Sequence, residues 1–225
     1  MIDFFKMLMR KTLNNCIRRN SLISRLIFGV KIQSDRRIHW DFTTLVLKDC
    51  LLQRIRPGHE ILEIGTGPYA ILSILLAKRV ACNIVACDIN EMHVINARKT
   101  VELNAVSVKV VCSNLFDNIN NKFDIIFFNS VYIPKEAGKR LGIDKLHDME
   151  SDWCGGETGI EIIEKFLSNA PSCLEEKGEI LLGFSTKYLR EDLVIKLCQD
   201  YGYDVKTRCT TFPNPSRVFV LGRRK

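Results

Sequence analysis

Two glycines and two carboxylates are the residues of this chain whose types and spacing most plainly describe chemistry. Glu63-Ile64-Gly65-Thr66-Gly67 ends the apolar run Glu60-Ile61-Leu62, and Asp88 closes a second run, Asn83-Ile84-Val85-Ala86-Cys87, about twenty residues later. A strand ending in two glycines lets the backbone turn sharply and come close to a ligand, because no Cβ stands in the way. A carboxylate ending the neighbouring strand lies within reach of a ribose diol. The pattern places a nucleoside cofactor across the carboxyl edge of a parallel sheet, with Gly65, Thr66 and Gly67 beneath it, Asp88 at its sugar and Ile89 among the residues that contact it. The competing reading of Asp88 is an N-cap for a helix starting at Glu91.

Gly65, Gly67 and Ala70 also fit the G-x-G-x-x-A variant of the dinucleotide fingerprint, so a nicotinamide or flavin dinucleotide is an alternative. Glu63 argues against it, since a negatively charged pyrophosphate is poorly served by an acidic neighbour. S-adenosylmethionine carries a sulfonium and an ammonium, which a carboxylate suits, and the loop is similar to the methyltransferase version of this turn. S-adenosylmethionine is the expected cofactor.

A second constellation follows the fourth apolar run. Asp124-Ile125-Ile126-Phe127-Phe128-Asn129-Ser130-Val131-Tyr132 leaves Asn129 and Tyr132 just beyond a strand. Here the chain resembles the HemK-like amino methyltransferases, whose motif at this point is Asn-Pro-Pro-Tyr. Trp153-Cys154-Gly155-Gly156-Glu157-Thr158-Gly159 is similar to the family's W-x-G-G-x-x-G stretch, and Thr44 to its cofactor-contacting threonine. The likeness runs through residues 40–221 and is greatest to short members that methylate a release-factor glutamine with a small zinc-binding activator subunit. It implies that Asn114, where the family usually has an aspartate, and Leu115 meet the adenine. An amide both donates and accepts, so Asn114 can read the same edge.

The chemistry explains these residue types. A planar amide or amine is a poor nucleophile, so acceptors for its hydrogens, the Asn129 side-chain oxygen and the Ser130 carbonyl, would aim the nitrogen and stabilise its developing charge. Tyr132 would stack on the planar group. No metal and no covalent intermediate is required. Both prolines of the motif are replaced, by Ser130 and Val131, and losing their fixed φ should leave the turn looser or differently shaped. The acceptor is expected to be a side-chain amide of a protein or peptide, with a small-molecule or RNA amine as the alternative. A cofactor-binding subunit without activity is the rival from another class, and Asn129 as a turn residue beside a packing tyrosine is the plain structural reading.

These residues need elements to hold them. At 225 residues the chain suits one α/β domain. Strands are predicted over 60–64, 83–88, 108–112, 123–128, 179–184, 204–210 and 217–221, and helices over 41–54, 70–79, 91–104, 158–170 and 189–201. The link between the last two strands is too short for a parallel crossover. The fold class is a doubly wound, seven-stranded, mostly parallel Rossmann-like sheet with a C-terminal antiparallel hairpin. Tyr132 to Gly156 reads as a polar loop with little periodicity, a lid or binding loop.

Charge divides the chain. Residues 1–40 hold nine basic side chains against Asp3 and Asp35, a net +7 that equals the formal charge of the whole protein. They read as a basic amphipathic helical arm before a methyltransferase domain at 41–225. The arm is suited to RNA, an acidic partner or an anionic surface; the alternative is a helix packing Phe4, Phe5, Leu8, Leu13, Ile17 and Leu22 on the domain. Nine cysteines without a C-x-x-C pair favour small buried hydrophobes in a reducing cytoplasm. No apolar stretch approaches a membrane span. His39, His59, His93 and His147 show no ligand spacing, though His147 lies where a base could act.

Overall fold

The structure is a computed structural model that describes residues 15–33, 37–145, 149–211 and 214–224. Phe4, Phe5, Leu8, Leu13 and His147 lie outside the described residues. Strands β1 (Glu60–Ile64), β2 (Asn83–Asp88), β3 (Lys109–Cys112), β4 (Phe123–Asn129), β5 (Leu174–Ser185), β6 (Tyr203–Thr210) and β7 (Ser216–Arg223) form one sheet in the order β3-β2-β1-β4-β5-β7-β6. The first five run parallel, and β7 lies antiparallel between β5 and β6. This is the expected fold, hairpin included.

Both faces of a parallel sheet are largely covered, so its strands are mostly apolar. In β4, Ile125 and Phe127 enter one core and Ile126 and Phe128 the other, following the period of two. Helices α2 (Phe42–Arg54), α3 (Ile71–Arg79), α4 (Glu91–Leu103), α6 (Glu161–Asn169) and α7 (Glu191–Asp200) agree with their predicted spans to within three residues. Strand β5 begins five residues earlier than predicted. Leu174 pairs with Phe123 across a register shift, and the exposed Glu175, Glu176 and Lys177 hide the pattern.

Two segments differ from expectation. Helix α1 (Ser21–Phe28) is capped by Asn20, whose side chain accepts from the Leu22 and Ile23 amides, and ends at Gly29 with φ of 71°. It delivers Phe28, Val30, Ile32 and Trp40 to the core, with the Phe28 and Trp40 rings 5.9 Å apart. The expected boundary at residue 40 therefore falls inside continuous packing, although Leu22 is 72% exposed and does not pack as anticipated. The segment after Tyr132 is not a featureless loop: it forms α5 (Lys135–Arg140) and a 3-10 turn over Glu150–Asp152, then returns to bridge Ile133 with Cys154. Trp153, buried against Gly138, anchors the return.

All nine cysteines are free; Cys50, Cys87, Cys154, Cys173 and Cys198 are buried, whereas Cys16 and Cys112 are exposed. Among the described residues no helix is long and apolar enough to cross a membrane.

If the packed body begins at α1, Phe28→Ala should cost about 3–5 kcal/mol in urea unfolding. Leu26→Ala, on the exposed face of the same helix, should stay within about 0.5 kcal/mol. Equal, negligible effects would return this helix to a surface arm.

Candidate functional site

Every predicted site residue lines one cleft of about 1290 Å³ along the carboxyl edge of the sheet: Thr44, Glu63, Gly65, Thr66, Gly67, Asp88, Ile89, Asn114, Leu115, Asn129, Ser130 and Tyr132. The strand register brings them together. Ile64 at the end of β1 pairs with Cys87 of β2 and Phe128 of β4, so Gly65, Asp88 and Asn129 each lie one residue beyond the same level.

At one end of the cleft the chain leaves β1 with φ of 66° at Gly65 and 65° at Gly67, a region L side chains rarely adopt. A Cβ on Gly65 would press on the Phe128 ring at 3.1 Å, while one on Gly67 would meet no protein atom within 4 Å. Asp88 accepts from the Gly67 amide at 2.8 Å and the Asn90 amide at 2.9 Å. Asn90, not Asp88, caps α4 by accepting from the Met92 amide, which removes the capping reading of Asp88. Ile89 is 49% exposed, an apolar surface following the carboxylate. Asn114 is exposed beyond β3, and Leu115 follows with a left-handed φ of 50°.

Beneath this loop Glu63 is buried, its Oε2 accepting from Thr66 Oγ1 at 2.8 Å and from Ser73 Oγ. Burial pushes its carboxyl up from an ordinary 4.5 to about 7, against the pull of hydrogen bonds from Ser73 and Thr66; the Asp88 charge adds to the rise. His93 Nδ1 lies 3.3 Å from Asp88 Oδ1, and its Nε2 is 3.7 Å from Asp152 Oδ2. Burial lowers the His93 pKa, but the hydrogen bond and charge of Asp88 and the charge of Asp152 outweigh it, leaving the imidazole above its usual value.

At the other end stands Asn129. Its Nδ2 donates to Asp41 Oδ1 at 3.2 Å and to Thr44 Oγ1 at 3.4 Å, while its Oδ1 is buried without a hydrogen-bond partner. Tyr132 is half-buried, its ring 6.1 Å from that of Tyr188. Burial, reinforced by the Asp41 charge, pushes its phenol up against a hydrogen bond with Thr43.

The expectation of a looser turn is corrected at Ser130. This buried residue donates both its amide, at 3.1 Å, and its hydroxyl, at 2.7 Å, to the Gly183 carbonyl of β5. A proline there would lack that amide, so serine extends the β4–β5 ladder by one rung. The glycines after Trp153 hold the turn from outside. A Cβ on Gly155 would lie 2.8 Å from the Val131 carbonyl oxygen, and one on Gly159 would lie 2.6 Å from that of Tyr132.

Sequence reasoning missed Asp41, Ser73, His93 and Asp152. Asp41-x-x-Thr44 is readable as a helix start and proves to be a capping box. His93 sits on the first turn of α4, five residues after Asp88, and no spacing rule singles it out. Ser73 and Asp152 carry no signal at all.

Residues 34–139 match the family described as the methyltransferase small domain. Over 138 residues the chain is 34% identical to a Methanocaldococcus jannaschii chain whose assigned name is protein N5-glutamine methyltransferase, covering 61% of this chain and 68% of that one. It is 26% identical over 163 residues to a Streptococcus pneumoniae release factor glutamine methyltransferase, covering 71% of this chain but only 58% of the relative. A crystal structure of a methyltransferase from Pyrococcus furiosus shares the fold, with a TM-score of 0.68 over 94% of this chain and 96% of that one at 20% identity.

The buried Glu63 has a measurable consequence. The folded state holds its proton more tightly than the unfolded state, so below about pH 4.5 the group is neutral in both and costs nothing. As pH rises the unfolded carboxyl ionises first, and stability should fall by about 3 kcal/mol before levelling off above about pH 7. Unfolding curves of the wild type and Glu63→Gln across this range should diverge by that amount. Parallel curves would mean that Glu63 is not held in its neutral form.

Proposed function

The chain belongs to the HemK-like family of S-adenosylmethionine-dependent methyltransferases, and from that premise we propose that it methylates a planar amide or amine nitrogen of a protein or peptide. The observation that carries this reading is the Asn129 Oδ1 atom, buried and unpartnered, on a residue that lines the cleft. A buried acceptor left without a hydrogen costs roughly 1–3 kcal/mol. A bound N–H would remove that cost.

The residues at the other end fit the family cofactor. Asp88 offers carboxylate oxygens suited to a ribose diol. Ile89 and Leu115 supply apolar surface for a base, with Asn114 at its edge. The open space at Gly67 admits close approach, and no basic side chain lies between Gly65 and Ala70 to favour a pyrophosphate. When bound, the cofactor supplies a methyl group activated by a positively charged sulfur. Glu63 favours positive charge nearby, since a cation beside it stabilises its ionised form.

The acceptor end then orients. Asn129 Oδ1 takes a hydrogen from the incoming nitrogen and stabilises the charge that develops there, and the Ser130 carbonyl would take a second. Tyr132, backed by Tyr188, offers a flat face that limits rotation of the planar group. Most of the rate enhancement is positioning and electrostatics. Arg18, Arg19 and Lys187 also line the cleft, which suits an acceptor segment carrying acidic groups.

Asn129→Ala should leave S-adenosylhomocysteine affinity nearly unchanged while lowering single-turnover methyl transfer by about 10²–10³. Asp88→Ala should instead weaken cofactor binding by about 1.5–3 kcal/mol in calorimetry. Labelled cofactor supplied to fractionated protein, RNA and metabolite pools should mark protein. Label confined to RNA or metabolites, or wild-type turnover from Asn129→Ala, would overturn the reading.

A further inference from the structure

The Asn129 amide has two orientations, and only one of them serves the reaction. With its oxygen toward the acceptor it receives a hydrogen; turned over, it would present its own hydrogens to the nitrogen that must attack. Three contacts decide between them. Asp41 Oδ1 accepts from the Thr44 amide at 2.8 Å, from Thr44 Oγ1 at 2.7 Å and from Asn129 Nδ2 at 3.2 Å. An ionised carboxylate only accepts, and the single hydroxyl hydrogen of Thr44 is already directed at it. Thr44 Oγ1 can therefore only receive, and it does so from Asn129 Nδ2 at 3.4 Å and from the Asp41 amide at 3.2 Å. A reversed Asn129 amide would set its oxygen against two oxygens with no hydrogen between them. Gly183 completes the enclosure: a Cβ there would lie 2.8 Å from Thr43 Cγ2 and 3.4 Å from Asn129 Oδ1.

We propose that Asp41 is a positioning residue that locks the Asn129 amide in one orientation, its nitrogen held by Asp41 and Thr44 and its oxygen left for the acceptor. It also makes Asn129 a filter for acceptors bearing a hydrogen on the atom to be methylated. The inference rests on the proposed role of Asn129. It assigns Asp41 a task beyond capping α2, and it gives Thr44 the part of a relay whose hydroxyl is committed to that carboxylate. Tertiary amines and ionised carboxylates, which bring no such hydrogen, are rejected at this position.

The test separates capping from orienting. Serine at position 41 caps a helix as well as aspartate but is too short to reach Asn129, whereas asparagine keeps both the cap and the acceptor oxygen. Asp41→Ser should therefore lower kcat on a glutamine-containing peptide by about 10²-fold, with cofactor affinity and melting temperature near wild type. Asp41→Asn should remain within about tenfold of wild type. A second readout needs neither cofactor nor acceptor. In NMR of the unliganded protein, the Asn129 Nδ2 hydrogens should exchange with water at least about tenfold more slowly in the wild type and Asp41→Asn than in Asp41→Ser. Equal exchange in all three proteins, or a wild-type kcat in Asp41→Ser, overturns the inference. If Asn129→Ala is inactive while Asp41→Ser is normal, Asp41 alone loses its role; if Asn129→Ala is also normal, the proposed function falls with it.

Discussion

The parallel register of β1 with β2 and β4 is the constraint on which the cleft depends. Backbone hydrogen bonds hold Ile64, Cys87 and Phe128 level, so three strands release their chains at one edge and at one height. Each release then takes the conformation its next residue permits: a left-handed turn at Gly65, a carboxylate at Asp88, an amide at Asn129. A shift of one residue in any pairing would turn its functional side chain to the opposite face, because side chains alternate along a strand. The large aromatic residues of β4 secure the register, since a slip would drive Phe127 and Phe128 into each other's cores.

That edge is built to receive positive charge at its centre. Glu63, Asp88 and Asp41 all line the cleft, and each accepts hydrogen bonds from hydroxyl or amide donors in its own surroundings. Glu63 is buried, and burial makes its ionisation costly. Its two hydroxyl partners reduce the cost of ionisation without cancelling it. The fold thus stores a deficit at this point that a cation relieves, a form of preorganisation independent of any contact with the transferred group.

Much of this was readable because it is local. Strand ends, glycine turns and terminal carboxylates sit within a few residues of one another, and the apolar period reported the elements that carry them. What escaped was chemistry assembled across the chain. His93 matters because α4 returns it to Asp88 and because Asp152 arrives from a distant turn. The first forty residues were read through their charge, which obscured Phe28, Val30 and Trp40 packing beneath it. The stretch after Tyr132 looked structureless because part of its order comes from one tryptophan seated on one glycine, a contact with no period.

Ser130 carries a consequence for how this lineage can change. Its amide and hydroxyl together saturate the Gly183 carbonyl oxygen. A proline at position 130 would withdraw both donors in one step and strand a buried oxygen, at a cost of about 1–3 kcal/mol. A proline at position 130 is therefore disfavoured unless β5 is altered as well. A chain with serine here keeps the turn without the double-proline signature. Searches that demand two prolines will pass over such chains, whereas a search for a glycine on β5 opposite a small hydroxylated residue would recover them.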